Sequence, residues 1–232
     1  MRAILGQLLV NLHNTTMKKI IMLIGFLFLT TLSAQETQEF KYGITGNFHQ
    51  GSIVGVHDVS KGAFGGSLGV FAQWALVEND IFDSAWLYLM PQIEYNMGGE
   101  IARAEEESFG KQIYQHDYVA MQVYLRYFFH QGNMKRDMYV FAGPRIEYLV
   151  RQESKVDPAY NLAYYKYNLD DEIKKFGYGV SFGIGLKVSQ QFEAFMRYDR
   201  GFSKVYPKNN INNTYNRQLA VGLNYYLNEN WW

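Results

Sequence analysis

The sequence predicts an all-β fold: one eight-stranded antiparallel up-and-down transmembrane β-barrel, with short turns at one end and long loops at the other. Three observations predict it. Eight segments carry apolar residues at every second position, the links between them alternate between short and long, and the single long apolar run lies before residue 35. Unpaired backbone groups cost several kcal/mol each in hydrocarbon, so strands that are apolar on one side only can face lipid only in a closed sheet.

The first segment, Phe40–Gln50, alternates Phe40, Tyr42, Ile44 and Phe48 with Lys41, Gly43, Thr45, Asn47 and His49. The second, Gly66–Leu76, places Leu68, Val70, Ala72, Trp74 and Leu76 on one face. In the third, Ala85–Met97, Leu87 through Met97 oppose Gln92, Glu94 and Asn96, and in the fourth, Tyr118–Phe129, Val119 through Phe129 oppose Gln122, Tyr124 and Arg126. The fifth, Met138–Arg151, sets Val140, Ala142, Ile146, Tyr148 and Val150 against Arg145 and Glu147.

The sixth, Lys175–Val188, is the most regular: seven apolar positions from Phe176 to Val188 alternate with Gly177, Gly179, Ser181, Gly183, Gly185 and Lys187. The seventh, Phe192–Phe202, sets Phe192, Ala194, Met196 and Tyr198 against Glu193, Arg197 and Asp199. The eighth, Arg217–Leu227, sets Leu219, Val221, Leu223, Tyr225 and Leu227 against Gln218, Ala220, Gly222, Asn224 and Tyr226. Val77–Ser84, His130–Asp137 and Ser189–Gln191 form the short links; Gly51–Gly65, Gly98–Asp117, Gln152–Lys174 and Ser203–Asn216 form the long ones. Outer-membrane barrels have short periplasmic turns and long external loops, which puts both chain ends in the periplasm. Pro91 and Pro144 fall inside strands, where each removes a ladder hydrogen bond, so bulges or strand ends are expected there.

Ahead of the barrel, Lys18-Lys19, the apolar run Ile20–Leu29 and Thr30–Ala34 are the parts of an export signal. The run is short for a span of about 20 residues. We read Met17–Ala34 as the signal, Met1–Thr16 as upstream residues, and 35–232 as a single barrel domain. Removing the signal region's three basic residues from 22 leaves 19 against 22 acidic ones, a net charge of −3, so nucleic acid is not an expected partner. The absence of Cys excludes a lipid anchor on cysteine, a disulfide framework and a thiolate metal site.

The inward faces carry Lys41, Glu94, Arg126, Arg145, Glu147, Lys187, Glu193, Arg197 and Asp199. Buried charges need partners, so these are expected to pair into a network. A gated ion path is the functional reading and a filled, closed lumen the structural one. Eight strands leave room for little beyond side chains, which favours the second. The glycines Gly177, Gly179, Gly183 and Gly185 lack the pattern of a phosphate loop and are expected to make room for Tyr124, Phe195 and Tyr226.

His49, His57-Asp58 and His116-Asp117 lie toward the outer end, with Ser52, Ser60 and Ser108 near them in sequence. A rim hydrolase would need a serine activated by a histidine oriented by an acid, and no signature surrounds these serines. Glu105-Glu106-Glu107 lacks calcium-loop spacing and reads as a solvated loop face. No catalytic, metal or cofactor site is therefore expected. Trp74, Trp86, Tyr95, Tyr127, Tyr148 and Tyr225 read as interfacial girdle residues, with a carbohydrate platform as the minor alternative.

Tyr139–Leu149 (YVFAGPRIEYL), Phe176–Leu186 (FGYGVSFGIGL) and Arg197-Tyr198 with Gly201-Phe202 resemble the PorT-like outer-membrane β-barrel family. Tyr118–Phe128 is similar to that family's fourth strand, with Gln122 in place of a proline. The resemblance spans most of 40–227. It implies the barrel fold and an outer-membrane location, and from the family's namesake accessory work in secretion through contacts with envelope or secretion proteins. The expected role is non-enzymatic, structural or interaction. A small pore, an outer-rim lipid or peptide hydrolase, and a soluble periplasmic ligand-binding barrel are the alternatives. Outer-membrane lipid is the expected partner of the wall.

Overall fold

Period-two alternation gives strands with one apolar and one polar edge row, and the chain closes them on themselves. A computed structural model describes residues 40–54, 60–79, 84–103, 111–129, 138–156, 173–208 and 214–228. Its strands are β1 (Phe40–Val54), β2 (Ser60–Asn79), β3 (Ser84–Arg103), β4 (Lys111–Phe129), β5 (Met138–Val156), β6 (Phe176–Lys187), β7 (Phe192–Lys204) and β8 (Tyr215–Tyr226). Each pairs antiparallel with its sequence neighbours, and β8 pairs with β1 to close the barrel. The segments Met17–Ala34, His57-Asp58, Glu105–Ser108 and Trp231-Trp232 lie outside the described residues.

Apolar side chains point outward. Phe48, Leu68, Ile93, Met121, Ile184, Val221 and Leu223 are all exposed on the outer wall. On β4 the apolar positions run from Phe129 to Val119, ten steps of about 3.3 Å, which at a tilt near 40° is about 25 Å of wall, the height of a lipid-facing band. Inside, Phe71, Tyr88, Tyr124, Phe128, Tyr139, Phe141, Phe195 and Tyr226 pack as an aromatic cluster in the periplasmic half.

The strands of β2 to β5 continue well past that band on the outer side. Ser60 pairs with Ala102, Ile101 with Ile113, and Gln112 with Val156, all within stretches that the alternation assigns to loops. Above lipid the outward face meets water and need not be apolar, so alternation fades while backbone pairing persists; inside, Ile53, Tyr114, Tyr118, Leu149, Ile173, Val205 and Tyr206 pack as a second buried apolar cluster.

Both internal prolines depart from expectation. Neither Pro91 nor Pro144 ends a strand or shifts a register. Pro91 pairs with Val123 on β4, while pairing with β2 lapses between Phe71↔Gln92 and Trp74↔Leu89 and resumes in the same register. Pro144 pairs with Val180 on β6, while pairing with β4 lapses between Gln122↔Arg145 and Leu125↔Ala142. A residue in an antiparallel strand presents its N–H to one neighbour only, so a proline weakens one ladder and spares the other. Gly143 beside Pro144 lets the strands close up there, since a Cβ would overlap the Val123 carbonyl.

The glycine row on β6 accommodates different neighbours from those expected. A Cβ at Gly185 would overlap the Tyr139 ring, one at Gly183 the Phe141 ring, and one at Gly177 the Glu147 side chain. The adjacent strand β5 fills the space, because side chains directly across a ladder come closest. Of the residues expected there, Phe195 is accommodated by Gly222 on β8 instead.

Candidate functional site: a braced lumen

Inward-facing positions of β2, β3, β4, β5, β7 and β8 converge on two charge centres stacked along the barrel axis. The outer one is built on Glu94, 1% exposed. Its Oε1 accepts from Arg145 Nη1, Arg197 Nη2 and Gln122 Nε2, each at 2.8 Å. Its Oε2 accepts from Gln92 Nε2 at 2.9 Å, Arg197 Nη1 at 3.1 Å and Ser67 Oγ at 3.3 Å. The Arg197 contact is a two-pronged guanidinium–carboxylate pair, the geometry that holds both ions most rigidly.

Asp199 Oδ2 ties the two arginines together, accepting from Arg197 Nε at 3.1 Å and Arg145 Nη1 at 3.2 Å. Glu147 adds a longer contact to Arg145 Nε at 3.4 Å. Arg197 Nη1 also donates to the Tyr124 hydroxyl at 3.2 Å. The centre therefore cross-links β2, β3, β4, β5 and β7 through the middle of the barrel.

The periplasmic centre is the pair Arg126–Glu193, 2.6 Å apart. Glu193 also accepts from Tyr226 at 2.9 Å and from Tyr139 and Asn224 at 3.2 Å. Arg126 donates to Tyr226 at 2.9 Å and to Gln73, and its guanidinium lies 4.0 Å from the Tyr139 ring centroid. The void between the two centres, lined by Gln92, Tyr124, Arg126, Phe141 and Arg197, measures about 10 Å³, enough for one water at most.

Seven of the nine charges singled out from sequence thus belong to these centres. The other two, Lys41 and Lys187, are half-buried near the periplasmic mouth. Lys187 lies directly across from Glu193 in register, yet Glu193 turns to Arg126. The amides and hydroxyls that complete both centres (Gln73, Gln92, Gln122, Tyr139, Asn224, Tyr226) escaped a reading based on charge. Their signal was the same parity on the same strands. Gln122 donates directly to Glu94.

Among the described residues, neither His49 nor His116 has a serine as a hydrogen-bond partner. His49 faces inward with its ring nitrogens 3.0 Å from Asn47 Oδ1 and 2.9 Å from the Met97 carbonyl. Ser52 faces outward, where its Oγ accepts from Arg217 Nε at 2.7 Å. Asp117 accepts from Tyr95 at 2.8 Å, and His116 Nε2 is buried without a partner. Among the described residues no serine is hydrogen-bonded to a histidine, and no cluster could hold a metal ion.

The aromatic residues form two levels. Trp74, Trp86, Tyr127 and Tyr225 ring the periplasmic edge, with Trp74 5.1 Å from Phe40, Trp86 5.5 Å from Tyr127, and Tyr225 4.9 Å from Phe192. Tyr95 and Tyr148 stand at the outer edge, both opposite Val119 in register. Above them Arg151 pairs with Glu153 at 2.6 Å. That hydrogen bond and charge hold the Glu153 carboxyl below the ordinary carboxylate range.

Residues 33–206 match the outer membrane protein beta-barrel domain. The chain belongs to that family. It is an outer-membrane β-barrel. No curated protein matches the sequence. Among solved structures it is similar to Neisserial surface protein A, with 15% identity over 82% of this chain and 99% of that one and a TM-score of 0.43. It is also similar to Ail, the attachment invasion locus protein of Yersinia pestis, with 13% identity over 81% and 99% and a TM-score of 0.44. OprG from Pseudomonas aeruginosa shows 9% identity over 82% and 94%, with a TM-score of 0.41.

Proposed function

We propose that this outer-membrane barrel is a non-enzymatic, non-conducting interaction protein that meets other envelope components through its outer surface. The observation that carries the reading is Glu94, held by donors from β2, β3, β4, β5 and β7 across the lumen axis. An ion crossing the barrel would have to displace charge-assisted hydrogen bonds that leave room for one water at most. Each carboxylate and guanidinium in the two centres is committed to a partner, so the lumen braces the wall.

With the interior closed, recognition falls to what projects. From Val119 to Lys111, β4 rises eight further steps, about 20 Å above the lipid band at the same tilt. β2, β3 and β5 rise beside it. This sheet offers a rigid platform on which loops meet partners, and accessory work in secretion of the PorT-like kind is one use of it.

Reconstitution in planar bilayers tests the reading. Purified protein should give no discrete current steps at moderate voltage, whereas Glu94→Ala, which removes the central acceptor, should begin to. Regular single-channel steps from the unaltered protein would establish a pore instead.

A further inference from the structure

On the lipid-facing side of β7, β8 and β1 the apolar wall is interrupted by cations. Arg200 and Arg217 lie directly opposite each other in the β7–β8 register, and Arg217 is opposite Ser52 in the β8–β1 register. Alternation puts all three on the outer face: the inward neighbours Asp199 and Gln218 are buried, while Arg217 is exposed and Arg200 half-exposed. Two like charges directly across a ladder repel. Among the described residues neither has a carboxylate partner. Arg217 Nε donates to Ser52 Oγ at 2.7 Å, and the Arg200 guanidinium lies 5.5 Å from the Tyr215 ring centroid.

Beside Arg217 is a cavity of about 250 Å³, lined by Gln50, Ser52, Gly62, Tyr198, Arg217 and Leu219. Its depth is informative. Arg200 is eight steps above Phe192, the ring neighbour of the girdle residue Tyr225, and Arg217 is eight above Tyr225 itself, about 20 Å at the barrel's tilt and so just inside the top of the apolar band. Directly below lie Leu219, Val221 and Met196, all exposed. Phe48 and Phe64, 83% and 85% exposed, project from the neighbouring wall beside Gly66. A cation pair near the top of the apolar band, within side-chain reach of the headgroups and above an apolar groove edged by two projecting rings, matches a ligand with an anionic head and acyl chains beneath it. Guanidinium groups suit phosphate oxygens because their paired N–H groups match that geometry.

We propose that Arg200 and Arg217 form a binding site for the phosphate headgroup of an outer-leaflet phosphoglycolipid, with Ser52 holding Arg217 in position and Phe48 and Phe64 flanking the acyl chains. The bound phosphate supplies the counter-charge that the wall lacks. The lipid source is favoured over a soluble anion because the site opens sideways into the bilayer.

The test uses the mature chain in phosphatidylcholine nanodiscs carrying either diphosphorylated lipid A or its dephosphorylated form, with retained lipid counted by native mass spectrometry. Unaltered protein should retain the phosphorylated lipid at least about tenfold better. Arg200→Gln with Arg217→Gln should abolish that preference, while heat-modifiable gel migration shows the barrel folded. Arg200→Lys with Arg217→Lys, which keeps both charges, should retain part of it. Ser52→Ala should weaken it by about threefold, the scale of one hydrogen bond. Equal retention of the two lipids, or a preference that survives the double glutamine variant, overturns the site. Loss of retention on adding millimolar inorganic phosphate overturns the lipid assignment in favour of a soluble phosphate.

Discussion

Arg197 and Arg200 are three residues apart on one strand and live in opposite electrostatic worlds. Arg197, 1% exposed, has carboxylate oxygens of Glu94 at 2.8 and 3.1 Å and of Asp199 at 3.1 Å. Arg200, on the other face of the wall, has an aromatic ring and a second arginine. The difference follows from the two media. The void between the two lumen centres has room for one water at most, so the charges there must be neutralised by the chain itself. The outer wall borders a medium that brings its own anions, and there the chain can leave cations for lipid to satisfy.

The comparison can be broken most directly at its centre. Glu94→Ala leaves Arg145 and Arg197 facing one another with only Asp199 and Glu147 nearby, and should destabilise the barrel by about 3–5 kcal/mol, read as a lower urea midpoint for unfolding in lipid vesicles. A loss below about 1 kcal/mol would mean that water enters the lumen freely, and the contrast between inside and outside would collapse. Gly185→Val comes next. It forces the Tyr139 ring away from Glu193 and should cost about 1–3 kcal/mol through overpacking.

Tyr226→Phe removes one hydroxyl shared by Arg126 and Glu193, and should cost about 1 kcal/mol by the same denaturation, with no change in gel migration. The smallest effect is expected at Arg151, whose partner Glu153 is bathed in water. A carboxyl held below its ordinary range adds stability that is present above the ordinary carboxylate pKa and is lost as pH falls through the depressed one. At this exposed pair solvent screening should make that contribution undetectable. Arg151→Ala should therefore leave the midpoint unchanged at neutral pH, while NMR titration shows the Glu153 pKa moving back up. A measurable loss of stability would place the outer extension of β5 in a drier setting than its exposure indicates.

All eight strands were legible because lipid imposes alternation on each of them. Legibility stops where lipid stops. Gly98–Arg103 and Lys111–Asp117 read as loop, yet they form paired strand, since nothing apolar is demanded of the outward face above the membrane. The lumen charges were legible by parity with their apolar neighbours. Their partners were not: whether Arg126 reaches Glu193 or Glu94 depends on the stagger of strands around the barrel, which no single strand's sequence encodes. Gln122 and Tyr226 were placed on the inward faces but not as partners of the charges, because amides and phenols are common on strands of every kind. Arg200 and Arg217 follow the same parity rule with the opposite sign and stand out only once their cross-strand adjacency is known.

The two prolines have a consequence for how this cylinder comes apart. The lapses they create lie between β2 and β3 and between β4 and β5, while β3 and β4 remain joined by an unbroken ladder from Leu87↔Tyr127 to Arg103↔Lys111. The prolines thus place a perforation line on each side of one intact hairpin. Thermal breathing should part the staves there first, and amides of Ala72, Gln73, Val123 and Tyr124 should trade their protons for deuterium sooner than their neighbours one turn of the ladder away.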